Sequence, residues 1–284
     1  ALCNPGDTVL CESPSFVGSL NSFKSYGGNL VGIDLEEDGI SLDKLEQALK
    51  TEKNVKFLYL IPNFQNPSGR TMSLSKRTAV LALAEQYDFL ILEDNPYGAL
   101  RFAGEDIPSI KSLDETGRVI YCGTFSKILA PGFRVGYVAA QSAFLQKIIV
   151  CKQCSDVHTN ILSQMICSEF LEKYDYKAHI EKLRGIYRHK SGLMLEGIRE
   201  HFASSISYTE PQGGLFIWCT LPEGVDVMKF CSNAVQNRVA VVPGTAFMIR
   251  ETDPTQSFRL NYSTPADEKI VEGIKLLGDL TKKL

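Results

Sequence analysis

The sequence predicts an α/β protein, with a mostly parallel sheet carrying helices on both faces, followed by a smaller α+β unit. Three observations predict it. Short β-branched and aromatic runs alternate with helical stretches through the first half. After Gln141 the texture changes to long helices, and the last third mixes short strands with helices. The 284 residues are 44% hydrophobic, 22% charged and 10% aromatic, enough for about two packed domains. That composition excludes a disordered chain and a disulfide mini-scaffold.

The chain starts without Met in a turn, Asn4-Pro5-Gly6-Asp7, before the apolar run Thr8–Cys11, and so reads as the middle of a domain. Strands are expected at Lys56–Ile61, Phe89–Leu92, Val119–Cys122 and Val135–Ala139. Between the first two, Ser73 to Tyr87 reads as a helix, with Ser73 or Ser75 as its cap and Val80, Leu81 and Ala84 apolar, giving one βαβ unit. A long helix is expected over Lys177–Phe202, where Ile180, Leu183, Tyr187, Met194 and Ile198 recur at helical spacing. The domain boundary is placed between 168 and 169, giving units 1–168 and 169–284. In the second unit, strands are expected at Gly214–Trp218, Val239–Val242 and Phe258–Tyr262. Thr264-Pro265-Ala266-Asp267 reads as the start of the last helix, with Thr264 as cap, Pro265 at the first helical position, and Ile270, Ile274 and Leu277 facing the core.

Thirty Lys and Arg against 33 Asp and Glu give a net charge of -3. No basic field exists to hold phosphate backbones or anionic lipid, so nucleic acid is not an expected partner of this segment. No apolar run approaches the roughly 20 residues of a membrane helix, and Ala1–Gly6 lacks the layout of a secretory signal. Eight scattered Cys fit a reducing compartment, and a cytoplasmic location is expected.

In open α/β sheets ligands collect beyond the carboxyl ends of the strands, so strand exits are where chemistry is sought. Four exits carry polar clusters. Pro62-Asn63-Phe64-Gln65-Asn66-Pro67-Ser68-Gly69 aims the Asn66 amide inward or, taken alone, is simply a turn. Glu93-Asp94-Asn95-Pro96-Tyr97 puts a carboxylate at a strand end, with a phenol three residues on, although a carboxylate there also suits a helix cap. Gly123-Thr124-Phe125-Ser126-Lys127 sets a Lys beside two hydroxyls, and Arg134 follows a Pro-Gly turn. A lone Lys is usually a solvated charge. Jointly, the exits supply an amine, a carboxylate, a phenol, an amide, and a Ser with an Arg suited to phosphate. That inventory matches pyridoxal phosphate, which needs a Lys for its Schiff base, an acid facing its pyridine nitrogen and a clamp for its phosphate.

The ordered set Asn66-Pro67-Ser68-Gly69, Asp94-Asn95-Pro96-Tyr97, Ser126-Lys127, Arg134 and Arg259 resembles the fold type I, class I/II aminotransferases, most closely the 2-aminoadipate/kynurenine branch. Glu12-Ser13-Pro14-Ser15-Phe16-Val17-Gly18, Pro211-Gln212-Gly213-Gly214-Leu215-Phe216-Ile217-Trp218 and Pro243-Gly244-Thr245-Ala246-Phe247 look like that branch too. The resemblance runs over essentially the whole chain. It implies an enzyme that moves an amino group between an amino acid and a 2-oxo acid, with 2-oxoglutarate the expected acceptor, through a pyridoxal-phosphate Schiff base on Lys127. By the same resemblance, Lys127 moves the substrate α-proton and Asp94 holds the protonated pyridine nitrogen. Asn66 and Tyr97 hydrogen-bond the phenolic oxygen, Ser126 and Arg134 bind phosphate, and Phe16 stacks on the ring. Arg259 grips the substrate carboxylate, with Asn66 beside it. A homodimer is implied as well.

Ser68 stands where the family often has Thr, and Phe16 where it often has Tyr, and both keep the physical role. The resemblance further implies about a hundred preceding residues, with a Gly/Ser-rich phosphate loop and a Tyr lent across the dimer interface, so that this chain reads as a fragment. Two other activities share these motifs: a pyridoxal-phosphate lyase, and the ligand-sensing domain of a MocR-type transcription regulator.

Cys151-Lys152-Gln153-Cys154 with His158 has part of a zinc spacing, but no second pair follows, and packing on a helix is the expectation. His179, His189 and His201 read as solvated helix positions, and Gly213-Gly214 as a turn before a strand rather than an anion-binding loop.

Overall fold

The computed structural model describes residues 1–284. Its first part comprises β1 (Thr8–Ser13), α1 (Val17–Ser25), β2 (Asn29–Glu36), β3 (Gly39–Ile40), α2 (Leu42–Thr51), β4 (Val55–Leu60), α3 (Leu74–Gln86), β5 (Leu90–Asp94), α4 (Ile110–Leu113), β6 (Val119–Thr124) and β7 (Gly136–Ala139). Then come α5 (Ser142–Ser155), α6 (Ile161–Lys173) and α7 (Tyr176–His201). The remainder is β8 (Ser207–Tyr208), β9 (Phe216–Thr220), α8 (Val227–Gln236), β10 (Val242–Pro243), β11 (Ser257–Asn261) and α9 (Asp267–Thr281).

The first sheet has seven strands in the order β3-β2-β1-β4-β5-β6-β7. Strands β2, β1, β4, β5 and β6 run parallel, and β3 and β7 close the two edges antiparallel. Side chains alternate across it with period two. Leu10, Leu58, Leu60, Ile91 and Val119 pack against α2, α3 and α4 on one face. Val9, Cys11, Phe57, Tyr59 and Ile61 pack on the other face, under Leu20 of α1 and against Leu183 and Tyr187 of α7. Helices therefore cover both faces, as the alternating runs predict. The second sheet, β10-β11-β9-β8, is antiparallel. Ile217 and Cys219 of β9 and Phe258 and Leu260 of β11 pack under α7, α8 and α9.

Helix α3 is capped by Ser73, whose hydroxyl accepts the Lys76 N–H, and it joins β4 to β5 as the expected βαβ unit. Three expectations need correction, and three elements lie outside the sequence pattern. The last helix begins at Asp267 with Ala266 as its cap, so neither Thr264 nor Pro265 opens it; Asp267 and Glu268 meet the helix dipole in its first turn instead. Of the Val239–Val242 run only Val242 pairs as a strand, together with Pro243 just beyond it. Strand β2 and helices α1 and α2 escape the sequence pattern; β2 buries only Ile33 and α1 only Leu20. Cys151 and Cys154 lie exposed on α5 and do not pack. No helix is long and apolar enough to cross a membrane.

Candidate active site

The chain runs from β1 outward to β2, then returns to the far side of β1 as β4. Strand order reverses between β1 and β4, and at such a switch point the two connections leave in opposite directions and open a crevice. A cavity of about 840 Å³ lies there. Phe16 reaches it just past β1, Ile61 and Asn66 past β4, Asp94 from the end of β5, and Thr124, Ser126 and Lys127 from the end of β6. The second sheet forms the opposite wall with Leu215, Phe216 and Arg259, while α7 contributes Leu183 and Tyr187. All eight residues singled out from the sequence (Phe16, Asn66, Asp94, Tyr97, Ser126, Lys127, Arg134 and Arg259) line this one cavity.

Asp94 and its neighbour Glu93 point to opposite faces. Glu93 is buried and accepts the backbone N–H groups of Ile110 (3.0 Å) and Lys111 (2.7 Å), so the capping role open to Asp94 in the sequence falls to Glu93, at α4. Asp94 faces the cavity, where its Oδ2 accepts the Tyr59 hydroxyl at 2.6 Å. Burial raises the Asp94 proton affinity and the Tyr59 bond pulls it back.

Lys127 rises from the turn after β6, where Leu129 N–H bonds the Phe125 carbonyl. Burial, then the charges of Arg134 and Arg259, hold its amine below the ordinary lysine range. A neutral amine is the nucleophilic form. The Ser126 hydroxyl accepts from Thr124 at 3.0 Å and from Arg134 at 3.3 Å. Arg134 itself has φ of 53°, a left-handed conformation that costs a non-glycine residue roughly 1–3 kcal/mol. That backbone turn sets the guanidinium beside Ser126.

Arg259 occupies the face of β11 that points away from α7–α9, since its neighbours Phe258 and Leu260 fill the core there. Its guanidinium lies over the rings of Phe216 at 4.2 Å and Phe247 at 4.8 Å and donates to Asn66 Oδ1 at 2.7 Å. Its Nε is buried without a partner. Tyr97 packs edge-on against Phe216, and burial, then the Asp94 charge, pushes its hydroxyl above the usual phenol range.

The sequence reading missed several contributors. Leu183 and Tyr187 fit the helical stripe of α7 as core yet line the cavity, as does Thr264, read there as a cap. His179 is half-buried rather than a freely solvated position: its Nε2 lies 2.7 Å from the Ile128 carbonyl, one residue past Lys127, and Phe170 meets its ring edge-on. No sequence signal distinguishes these positions, since each depends on what crosses above the sheet.

Residues 1–277 match the family described as aminotransferase class I and II. The chain is 45% identical to aromatic-amino-acid aminotransferase 1 of Thermococcus litoralis, over 99% of this chain and 68% of that protein. It is 37% identical to the 2-aminoadipate transaminase of Thermus thermophilus, over 98% of this chain and 70% of the relative. The crystal structure of Pyrococcus horikoshii kynurenine aminotransferase in complex with PMP superposes with a TM-score of 0.96 at 40% identity, covering 99% of this chain and 70% of that one. With the family matched over nearly its whole length, this chain belongs to the class I and II aminotransferases, which transfer amino groups with pyridoxal phosphate.

Proposed function

We propose that Lys127 is the lysine that carries pyridoxal phosphate and that 2-oxoglutarate is the amino acceptor. The observation that carries the Lys127 assignment is the convergence of a depressed lysine amine, a buried carboxylate and two arginines on one cavity. The donor set fits the cofactor. Asp94 offers an anion for a protonated ring nitrogen, Ser126 and Arg134 form a joined hydroxyl–guanidinium pair for a phosphate, and Arg259 keeps an unpartnered buried Nε that a carboxylate would satisfy.

When bound, pyridoxal phosphate supplies an electron sink conjugated to the substrate α-carbon. Lys127 Nζ, lining the cavity with its proton affinity held below the ordinary lysine range, would be the base that takes the proton from the substrate α-carbon. Asp94 keeps the pyridine nitrogen protonated. Asn66 and Tyr97 would hold the cofactor's phenolic oxygen, Phe16 would lie against its ring, and Arg259 with Asn66 would orient the substrate carboxylate. The relatives' names span aromatic and aminoadipate donors, and the cavity's Leu183, Tyr187, Leu215 and Phe216 suit an apolar or aromatic side chain.

The same reading includes a division into units 1–168 and 169–284, a cytoplasmic location and a homodimer. Support for the dimer comes from the exposed Tyr137, Ile149, Val150, Ile161, Leu162 and Met165 on β7, α5 and α6, an apolar area that water disfavours. Light scattering measures the dimer directly.

The test of the site is borohydride reduction of the cofactor-loaded protein followed by peptide mass mapping. A cofactor adduct on Lys127 is expected, and an adduct confined to another lysine overturns the assignment. A donor and acceptor screen then separates transamination from lyase chemistry, which releases ammonia and a 2-oxo acid without an acceptor.

A further inference from the structure

Asp94 accepts a single hydrogen bond from the protein, and what lies behind that bond is ordered. In the β4–β5 register Tyr59 stands opposite Leu92. Asp94 is two residues further along the same face, a diagonal neighbour within reach of a long side chain. The Tyr59 hydroxyl donates to Asp94 Oδ2 at 2.6 Å and accepts from Ser19 Oγ at 2.9 Å. Both donations run toward the carboxylate.

Helix α1 holds the far end. Its first turn starts at Phe16, whose carbonyl accepts the N–H groups of Ser19 and Leu20. Residues three and four apart share a helix face, so Phe16, Ser19 and Phe23 project from one side. Phe16 lines the cavity, Ser19 bonds the Tyr59 hydroxyl, and Phe23 sets its ring edge-on to Tyr59 at 5.4 Å and to Phe57 at 5.3 Å. Tyr59 is thereby held at both its ring and its hydroxyl.

Resting on the reading of Asp94 given above, we propose that Tyr59 is a positioning residue for Asp94, with Ser19 as the outer donor of a one-way hydroxyl relay anchored in the first turns of α1. The titratable groups around Asp94 are Tyr59 from β4, Glu12 from β1, Cys122 from β6 and Tyr97 from its own loop. Burial pushes Glu12 up to about 8 and the Cys122 thiol up to about 12, and it raises both phenols. These acids stay largely neutral near pH 7, so none of them draws the relay's donation away from Asp94.

The test reads the Asp94 carboxyl by side-chain carbon NMR across a pH titration of the cofactor-free full chain. Tyr59→Phe is expected to move the Asp94 midpoint upward, Ser19→Ala to move it upward by less, and Ser19→Thr to keep the wild-type midpoint. In the loaded enzyme Tyr59→Phe is expected to lower kcat roughly tenfold with KM little changed. Should Tyr59→Phe not fold, Ser19→Ala, at a half-buried position, carries the test. A wild-type midpoint in both Tyr59→Phe and Ser19→Ala overturns the relay. A shifted midpoint together with wild-type turnover in Asp94→Asn upholds the relay and removes Asp94 from the reaction, so the two failures are told apart.

Discussion

The two faces of the seven-stranded sheet are made from the same strands but satisfy their polar groups in opposite ways. Toward α2, α3 and α4, the face is closed with Leu10, Leu58, Leu60, Ile91 and Val119, and Glu93 at the end of β5 spends both carboxylate oxygens on backbone N–H groups. Toward the cavity, Tyr59 and Asp94 bond each other, and the remaining capacity of Asp94 is left open. Adjacent carboxylates thus reach different ends: backbone amides use up Glu93, while a single phenol leaves Asp94 available to a ligand. Burial raises the proton affinity of both, so it is the partners, not the depth, that distinguish them.

If the difference between the faces is functional, substitutions on one should spare what substitutions on the other destroy. Lys127→Ala is expected to lower transamination by a thousandfold or more, about 4 kcal/mol, with the unfolding midpoint unchanged. Steady-state assays beside thermal melts measure both. Glu93→Ala should do the reverse: two buried N–H groups lose their acceptor, costing about 3 kcal/mol of stability, while activity per folded molecule holds. Denaturant titration with active-site counting distinguishes loss of fold from loss of chemistry.

Arg259→Ala sharpens the comparison within the cavity. It should raise the KM of the amino donor about thirtyfold, roughly 2 kcal/mol, with a smaller change in kcat. Arg259→Lys should recover little of this, because an ammonium does not reproduce the planar fork.

The smallest effect, taken per pH unit, concerns Glu12, which is fully buried at the end of β1, where its Oε2 accepts the Ile61 N–H and the Gln65 amide. Its proton affinity in the fold, about 8, lies above the ordinary 4.5. The native chain therefore holds a proton there that the unfolded chain releases, and stability falls as pH rises from about 4.5 to about 8. Glu12→Gln should flatten that fall, a change of about 1.4 kcal/mol per pH unit at most. Equal pH slopes in the two proteins would show that Glu12 does not carry the effect.

The fold class was legible because the parallel strands are short apolar runs and α3 announces itself with Ser73. The cavity residues were legible for a related reason. Asn66 precedes Pro67, Asp94 precedes Asn95-Pro96, and Lys127 follows two hydroxyl residues, so each breaks an apolar run at a strand exit where the chain must turn. Tyr59 and Ser19 gave no such sign. A phenol inside an apolar strand reads as core, and a serine in a stretch that the sequence pattern does not mark reads as neutral surface, until the order β1-β4-β5 and the crossing of α1 bring them together. Leu183 and Tyr187 belong to the helical stripe of α7 whether that stripe meets a core or a cavity.

What the sequence determined by itself was chemical identity along the chain: an amine, a carboxylate, a phenol and two guanidinium groups, all but the mid-strand Arg259 at the end of a strand or in a turn. Backbone geometry imposes that placement locally, since strands alternate with period two and Pro and Gly end them. Only the tertiary structure decided which of these groups meet. The reversal of strand order between β1 and β4 opens the crevice, and the second sheet sets Arg259, 193 residues away in the chain, against Asn66. Proximity across such separations depends on which layers pack together, and packing is a property of the whole folded chain rather than of any segment in it.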